Sequence, residues 1–288
     1  MSNPIAYTII NERLNLYIAI RDIDSLHLHE ETIPELLQQL AHTIEADGHV
    51  RNPIIVDKES LVVLDGMHRI AALEKLGAKR IPVCLIDYEN PNVVVCSWYR
   101  TIADASGVNQ ILTLVVQAGN TVRKMSENKI GVSPVVAAIK FRSKTYVLYS
   151  HFQNMREAYD IIERVEELLE KNGFKIDHET EINALQQLRK GQVDAVICTP
   201  ALSKKEIVES ALSGQVFAHK TTRHVIPARP LGLNVPLNLL KDEKKSLMDV
   251  NEELNRMLQH RHLRRVQPGV PLNGRNSEEE FYVFEEYP

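Results

Sequence analysis

Between the apolar run Leu61-Val62-Val63-Leu64 and the helical pattern Ile70-Ala71-Ala72-Leu73-Glu74-Lys75-Leu76 stands Asp65-Gly66-Met67-His68-Arg69. This segment carries the clearest chemistry in the chain. Gly66 lets the backbone turn sharply and approach a ligand closely. The helix that begins here points its first amides and the positive end of its dipole into the turn. His68 and Arg69 set side-chain donors beside those amides, and the whole suits a phosphate. A plain turn with a surface arginine and a half-buried histidine has the same local pattern, so the reading needs support from elsewhere in the chain.

The elements that position this turn are legible. Residues 14–23 read as a strand. Thr32 is expected to cap a helix, with Glu35 at the capping-box position and Pro34 in the first turn, where proline is tolerated. Leu36, Leu37, Leu40 and Ile44 form its apolar stripe, and Asp47-Gly48 stops it. Residues 53–56 and 61–64 are short strands. Gly77 ends the helix after the turn, and residues 81–86 return as a strand. The order is strand, helix, strand, strand, loop, helix, strand, which makes a compact α/β unit.

Residues 101–240 read as a second α/β domain. Helices are expected at 108–118, 155–171 and 182–189, and from a Ser203 cap to Leu212 with Glu206 at the capping-box position. Strands are expected at 135–139, 145–149 and 193–198. Residues 215–226 read as extended and are unusually polar in the middle, at Lys220-Thr221-Thr222-Arg223-His224. Residues 241–288 change character. One charged helix is expected over 242–259, followed by the basic cluster Arg261-His262-Leu263-Arg264-Arg265. The acidic runs Glu278-Glu279-Glu280 and Glu285-Glu286 end the chain, and a solvated, flexible extension is the expectation. The domains are thus read as 1–100, 101–240 and 241–288.

Composition bounds the function. The chain has 288 residues, about two domains' worth at roughly 150 residues each. With 34 basic and 38 acidic residues the net charge is −4, against the basic excess usual in nucleic-acid-gripping proteins. A local anion site is still allowed. Cys84, Cys96 and Cys198 form no C-x-x-C pair, sit in strand-like flanks and read as buried, reduced thiols. No continuous apolar stretch is long enough to span a membrane, and no basic-then-apolar leader stands at the start. A cytoplasmic protein is expected.

At this point a resemblance enters. Residues 64–86, with the helix at 34–46 and the strand at 53–56, look like the ParB/sulfiredoxin nucleotide-binding fold, over roughly residues 14–100. Sulfiredoxins carry a catalytic cysteine directly before the His-Arg pair, where this chain has Met67. ParB proteins carry a Gly-Glu-Arg-Arg type turn and a later helix-turn-helix, and neither pattern is evident here. The chain most resembles the free L-serine kinases. They share His29-Glu30 ahead of the first helix, the Asp65 to Arg69 turn, and Trp98-Tyr99 after the last strand of the first unit. Late in the chain they share Gly214-Gln215-Val216-Phe217 followed by Lys220 to Val225. Several motifs in the right order are far more specific than any one.

The resemblance implies a kinase that moves a phosphoryl group from ATP or ADP, with Mg²⁺, to free L-serine. O-phospho-L-serine would be made for cysteine or siderophore precursor synthesis. Gly66, Met67, His68, Arg69 and Thr43 would bind the nucleotide phosphates, and Glu30 would be the catalytic base. Asp65 would orient the hydroxyl or hold Mg²⁺, directly or through water. Trp98 and the Lys220-Thr221-Thr222-Arg223-His224 segment would bind serine. On a strand, Lys220, Thr222 and His224 share one face and suit the amino-acid carboxylate; an exposed edge strand has the same composition. A cleft between two domains is expected. A nucleotide-responsive DNA-binding regulator of ParB type is the alternative, kept open by Arg261 to Arg265. Oligomeric state stays open.

Overall fold

The computed structural model describes residues 4–104, 107–125, 135–270 and 278–287. Strands and helices mix in two compact units. The first comprises Met1–Val94, Ile207–His219 and His224–Pro288, the second Val95–Glu206 and Lys220–Arg223.

The first unit is built on a five-stranded sheet. Its order is Tyr7–Ile9, Leu16–Asp22, Arg80–Ile86, Ile54–Asp57, Val63–Asp65. Only the pairing of Ile54–Asp57 with Arg80–Ile86 is parallel, with Ile55 opposite Cys84. β-branched and leucine residues on the central strands, including Ile18, Ile20, Ile54 and Val83, are fully buried. Burial on both faces is what a sheet covered by helices requires.

The first helix runs Pro34–Asp47 with Ile33 at its cap and Pro34 in its first turn. The Thr32–Glu35 capping box does not form, because the helix starts too late for it. The Ile33 amide instead donates to His68 Nε2 at 3.0 Å. The expected apolar stripe is only partly used: Ala41 and Ile44 are buried, whereas Leu36 is exposed. The Met67–Lys75 helix follows the turn directly.

The expected flexible extension is folded into the first unit. Two helices, Leu237–Lys241 and Leu247–Gln259, replace the single one expected from 242, because Ser246 and Asp249 form a capping box that starts the second. Asn251, buried on that helix, pairs with the backbone of Ile20 as a strand would: its Oδ1 accepts from the Ile20 amide at 2.8 Å and its Nδ2 donates to the carbonyl at 3.1 Å. His262–Val266 and Glu280–Glu285 pair antiparallel, and Ala228–Leu231 adds parallel to the latter. Charge explains the difference. Arg264 meets Glu285 at 2.6 Å, and Arg265 pairs with the buried Glu280. Two runs that look solvated when read separately neutralise each other across one ladder.

The second unit holds a six-stranded antiparallel sheet, ordered Lys175–Glu179, Tyr99–Ala103, Ala195–Cys198, Val135–Lys140, Thr145–Tyr149, Thr121–Lys124. Met155–Lys171 supplies its largest helix and buries Tyr159, Ile162, Val165 and Leu169. Ser203 and Glu206 form the expected reciprocal cap. The cysteines are all unpaired thiols, but only Cys84 is buried; Cys96 and Cys198 are partly exposed. Burial pushes the Cys84 thiol up to about 12. No helix among the described residues is long and apolar enough to cross a membrane.

Candidate active site

Gly66 has φ +112°, a region costly for any residue with a side chain, and an added Cβ would lie 2.3 Å from Ile54 Cγ2. The glycine is therefore fixed twice, by conformation and by the close passage of the Ile54–Asp57 strand. The Met67–Lys75 helix starts at the next residue, so its amide end opens on the turn. The Arg69 guanidinium folds back on this strand, donating to Asn52 O at 3.2 Å and to Pro53 O. Its Nη2 stays 3.9 Å from Asp65 Oδ2. His68 accepts the Ile33 amide at Nε2, which puts its ring proton on Nδ1, and its ring stands edge-on to His219 at 5.2 Å.

The early loop is locked to the same unit. Phe217 N donates to His29 O at 2.8 Å, and Glu31 N donates to Phe217 O at 2.9 Å, a parallel bridge with Glu30 at its centre. Glu30 is consequently 5% exposed. His29 is fully buried and donates from Nδ1 to Val63 O at 2.6 Å. Its Nε2 lies 3.8 Å from Glu30 Oε1. His224 stacks edge-on to His29 at 5.4 Å, and its Nε2 shares a 2.8 Å hydrogen bond with the Tyr88 hydroxyl. Burial lowers the His29 pKa, with Glu30 and Asp65 opposing, and drives that of His224 well below its ordinary value. Both rings are neutral at neutral pH.

Asp65 is held by two arginines. Burial alone would raise its pKa, but Arg229 and Arg69 outweigh that and bring it down to about 2. Arg229 donates from Nη1 to Asp65 and from Nε to Glu279. The Asp65 side chain is still 44% exposed, so it can meet a ligand.

Within the second unit, Lys220 departs from expectation. It lies in a turn with φ +61°, ahead of the Thr222–Val225 strand, so it does not share a strand face with Thr222 and His224. Its ammonium sits 4.3 Å from the Trp98 ring centroid, a cation–π distance. The Trp98 indole donates to Thr222 O at 2.9 Å. Arg100 donates from Nη1 to Trp98 O at 2.6 Å and Lys220 O at 3.1 Å, and from Nε to Glu166 at 2.6 Å. Thr221 and Thr222 are buried and Arg223 is half-buried.

Structure and sequence reading thus compare residue by residue. Glu30, Asp65, Gly66, Met67, His68, Arg69 and His224 gather in the first unit. Thr43 lies exposed on its helix and turns its hydroxyl back to Gln39 O at 2.9 Å. Trp98 and Lys220 to Arg223 belong to the second unit. The sequence reading misses Arg229, Glu279, Tyr88 and Arg100. Arg229 follows the polar segment by only five residues, which is the one signal that could have drawn attention to it. Among the described residues, no group of three or more His, Cys, Asp or Glu side chains is arranged to hold a metal ion.

Comparison with known proteins now adds to the geometry. Residues 11–99 match the ParB N-terminal domain, which defines the class of the turn-bearing fold. An ATP-dependent L-serine kinase of Staphylothermus marinus is 30% identical over 231 residues, covering 76% of this chain and 90% of the relative. An ADP-dependent L-serine kinase, SerK, of Thermococcus kodakarensis is 26% identical, over 76% of this chain and 91% of that one. A variant of a free serine kinase solved in complex with AMP superposes with TM-score 0.67 at 25% identity, covering 81% of this chain and 97% of that one. The chain belongs to the L-serine kinase family.

Proposed function

We propose that this protein transfers the terminal phosphoryl group of a nucleotide to the hydroxyl of free L-serine, giving O-phospho-L-serine. The observation that carries the reading is the buried Glu30 carboxylate, its Oε1 3.8 Å from His29 Nε2, in the same unit as the Asp65–Arg69 turn. The serine oxygen attacks the terminal phosphorus and the bond from phosphorus to the leaving nucleotide oxygen breaks. The hydroxyl proton passes to the Glu30 carboxylate. Such transfer is mostly positioning and charge stabilisation. The helix amides after Gly66, with His68 and Arg69, face the phosphates, and Thr43 assists from its helix. Mg²⁺ would arrive with the nucleotide. One carboxylate plus phosphate oxygens and waters is an ordinary Mg²⁺ set, and Asp65 would supply that carboxylate, directly or through water, or orient the serine hydroxyl.

Lys220, with Thr221, Thr222 and Arg223, is our candidate set within the second unit for the serine carboxylate and amine, with Trp98 as wall. The relatives differ in donor, so ATP and ADP are both carried forward. We assign the reaction to the cytoplasm and its product to cysteine or siderophore precursor synthesis. The decisive assay incubates the protein with L-serine, Mg²⁺ and either nucleotide, follows O-phosphoserine, and repeats both arms on Glu30→Gln. Absence of product with both donors would end the proposal. The arginines of the basic cluster that kept the DNA-binding alternative open have partners within the chain. Arg264 and Arg265 are paired with Glu285 and Glu280, and Arg261 donates to Gly232 O and Leu233 O at 2.8 and 2.7 Å.

A further inference from the structure

Glu279 stands one residue before the Glu280–Glu285 strand, which pairs in parallel with Ala228–Leu231. The Glu280 amide donates to Pro227 O at 3.1 Å, which fixes the register at that end. One Glu279 oxygen, Oε1, accepts the Ile226 amide at 2.9 Å; the other accepts Arg229 Nε. Arg229 then reaches Asp65 with Nη1 and His224 O with Nη2 at 3.4 Å. Its guanidinium is thus used on separate edges, one for Glu279 and one for Asp65.

We propose that Glu279 is a positioning residue of the phosphoryl-transfer site, acting through Arg229 on Asp65. The proposal rests on the kinase reading above. The physical need is specific. Asp65, Arg69, Arg229 and Glu279 together are charge-neutral. Without Glu279 the set carries a surplus positive charge, and an arginine held only at Asp65 is drawn toward incoming phosphates. A second carboxylate gripping the Nε edge keeps the fork on Asp65 while the nucleotide is bound, so Asp65 stays in place beside Gly66. The C-terminal strand is in this view part of the catalytic apparatus.

The test is a double-mutant cycle on Glu279→Gln, Asp65→Asn and the double variant, with thermal melting to verify folding. Glutamine keeps the acceptor for Ile226 and the shape, removes the charge, and turns an amide nitrogen, a donor, toward Arg229 Nε, so the grip on that edge is lost. Glu279→Gln should lower kcat/KM for the nucleotide about tenfold in the parent and less than about twofold in the Asp65→Asn background. Equal losses in both backgrounds, or no loss in either, would overturn the proposal. If Asp65→Asn turns over too slowly to measure, the same cycle is read as ADP affinity by calorimetry, where additive effects are again the overturning result. Lack of O-phosphoserine from the parent would defeat the kinase reading alone, since the affinity cycle still reports the coupling. A parent that binds no nucleotide would defeat both.

Discussion

His29 presents Nε2 to Glu30 Oε1 at 3.8 Å while its Nδ1 is committed to Val63 O. The ring is therefore held in one orientation by the strand that leads into the Asp65–Arg69 turn, and Glu30 is held by the Phe217 bridge on its other side. Replacing the carboxylate would remove the proposed proton acceptor while keeping the side chain's shape. Glu30→Gln should lower kcat by about 10²–10⁴-fold, the usual contribution of general acid–base work. Its melting temperature should stay close to that of the parent. Product formation and a thermal melt on the same preparation check both halves, and a loss of stability in step with activity would assign Glu30 to structure.

The buried histidines set a pH dependence whose sign is fixed. His29 and His224 have folded pKa values below their unfolded value of roughly 6.5. The unfolded chain therefore binds more protons in the acid range, and stability rises with pH. Their contribution is fully present above roughly pH 6.5 and is lost as pH falls toward the folded pKa values. Urea unfolding measured from neutral to mildly acid pH should show a falling midpoint, and His224→Asn should flatten the slope while lowering overall stability. An unchanged slope in that variant would remove His224 from the account.

Gly66→Ala should be severe. Its Cβ would meet Ile54 Cγ2 at 2.3 Å and Cβ at 2.9 Å, on a branched side chain that is itself fully buried. Positive φ adds a backbone cost of order 1–3 kcal/mol. The variant should unfold at markedly lower urea and lose nucleotide affinity beyond what its lower stability explains. Gly48, with φ +70° and no atom within 4 Å of an added Cβ, is the matched control for conformation without the clash.

What the sequence shows and what it hides follow from the range of the interactions. The Asp65–Arg69 turn and its flanking elements are local, so glycine, helix and strand patterns reveal them. Glu30 is found through a motif, but its burial depends on Phe217, far along the chain. Arg229 and Glu279 are invisible because a charge on a polar segment and a charge in an acidic run look solvated until a ladder brings them together. The same blindness turned paired strands into an apparent tail. Lys220 errs differently: alternation assumes extended backbone, and the positive φ of a lysine cannot be read from its type.

That strained lysine leads to a prediction for the second unit. Non-glycine residues at positive φ persist where their surroundings over-determine them, and here Arg100 supplies the constraint by donating to the carbonyls of both Trp98 and Lys220. Arg100 is nearly fully buried and is itself held by Glu166. Burial pushes the Glu166 pKa up, but His178 and Arg100 outweigh it and keep the carboxylate charged. An ammonium lacks the planar fork that reaches these partners together. Arg100→Lys should therefore free Lys220 to leave the Trp98 face. KM for serine should rise about tenfold with kcat and nucleotide affinity nearly unchanged, the pattern of lost uniform binding. Arg100→Met should instead destabilise the whole unit, because Glu166 then keeps only His178 as partner. Steady-state kinetics varied separately in serine and nucleotide, together with urea unfolding, separate the two effects. A parallel fall in nucleotide affinity for Arg100→Lys would show that the arginine supports more than the lysine turn.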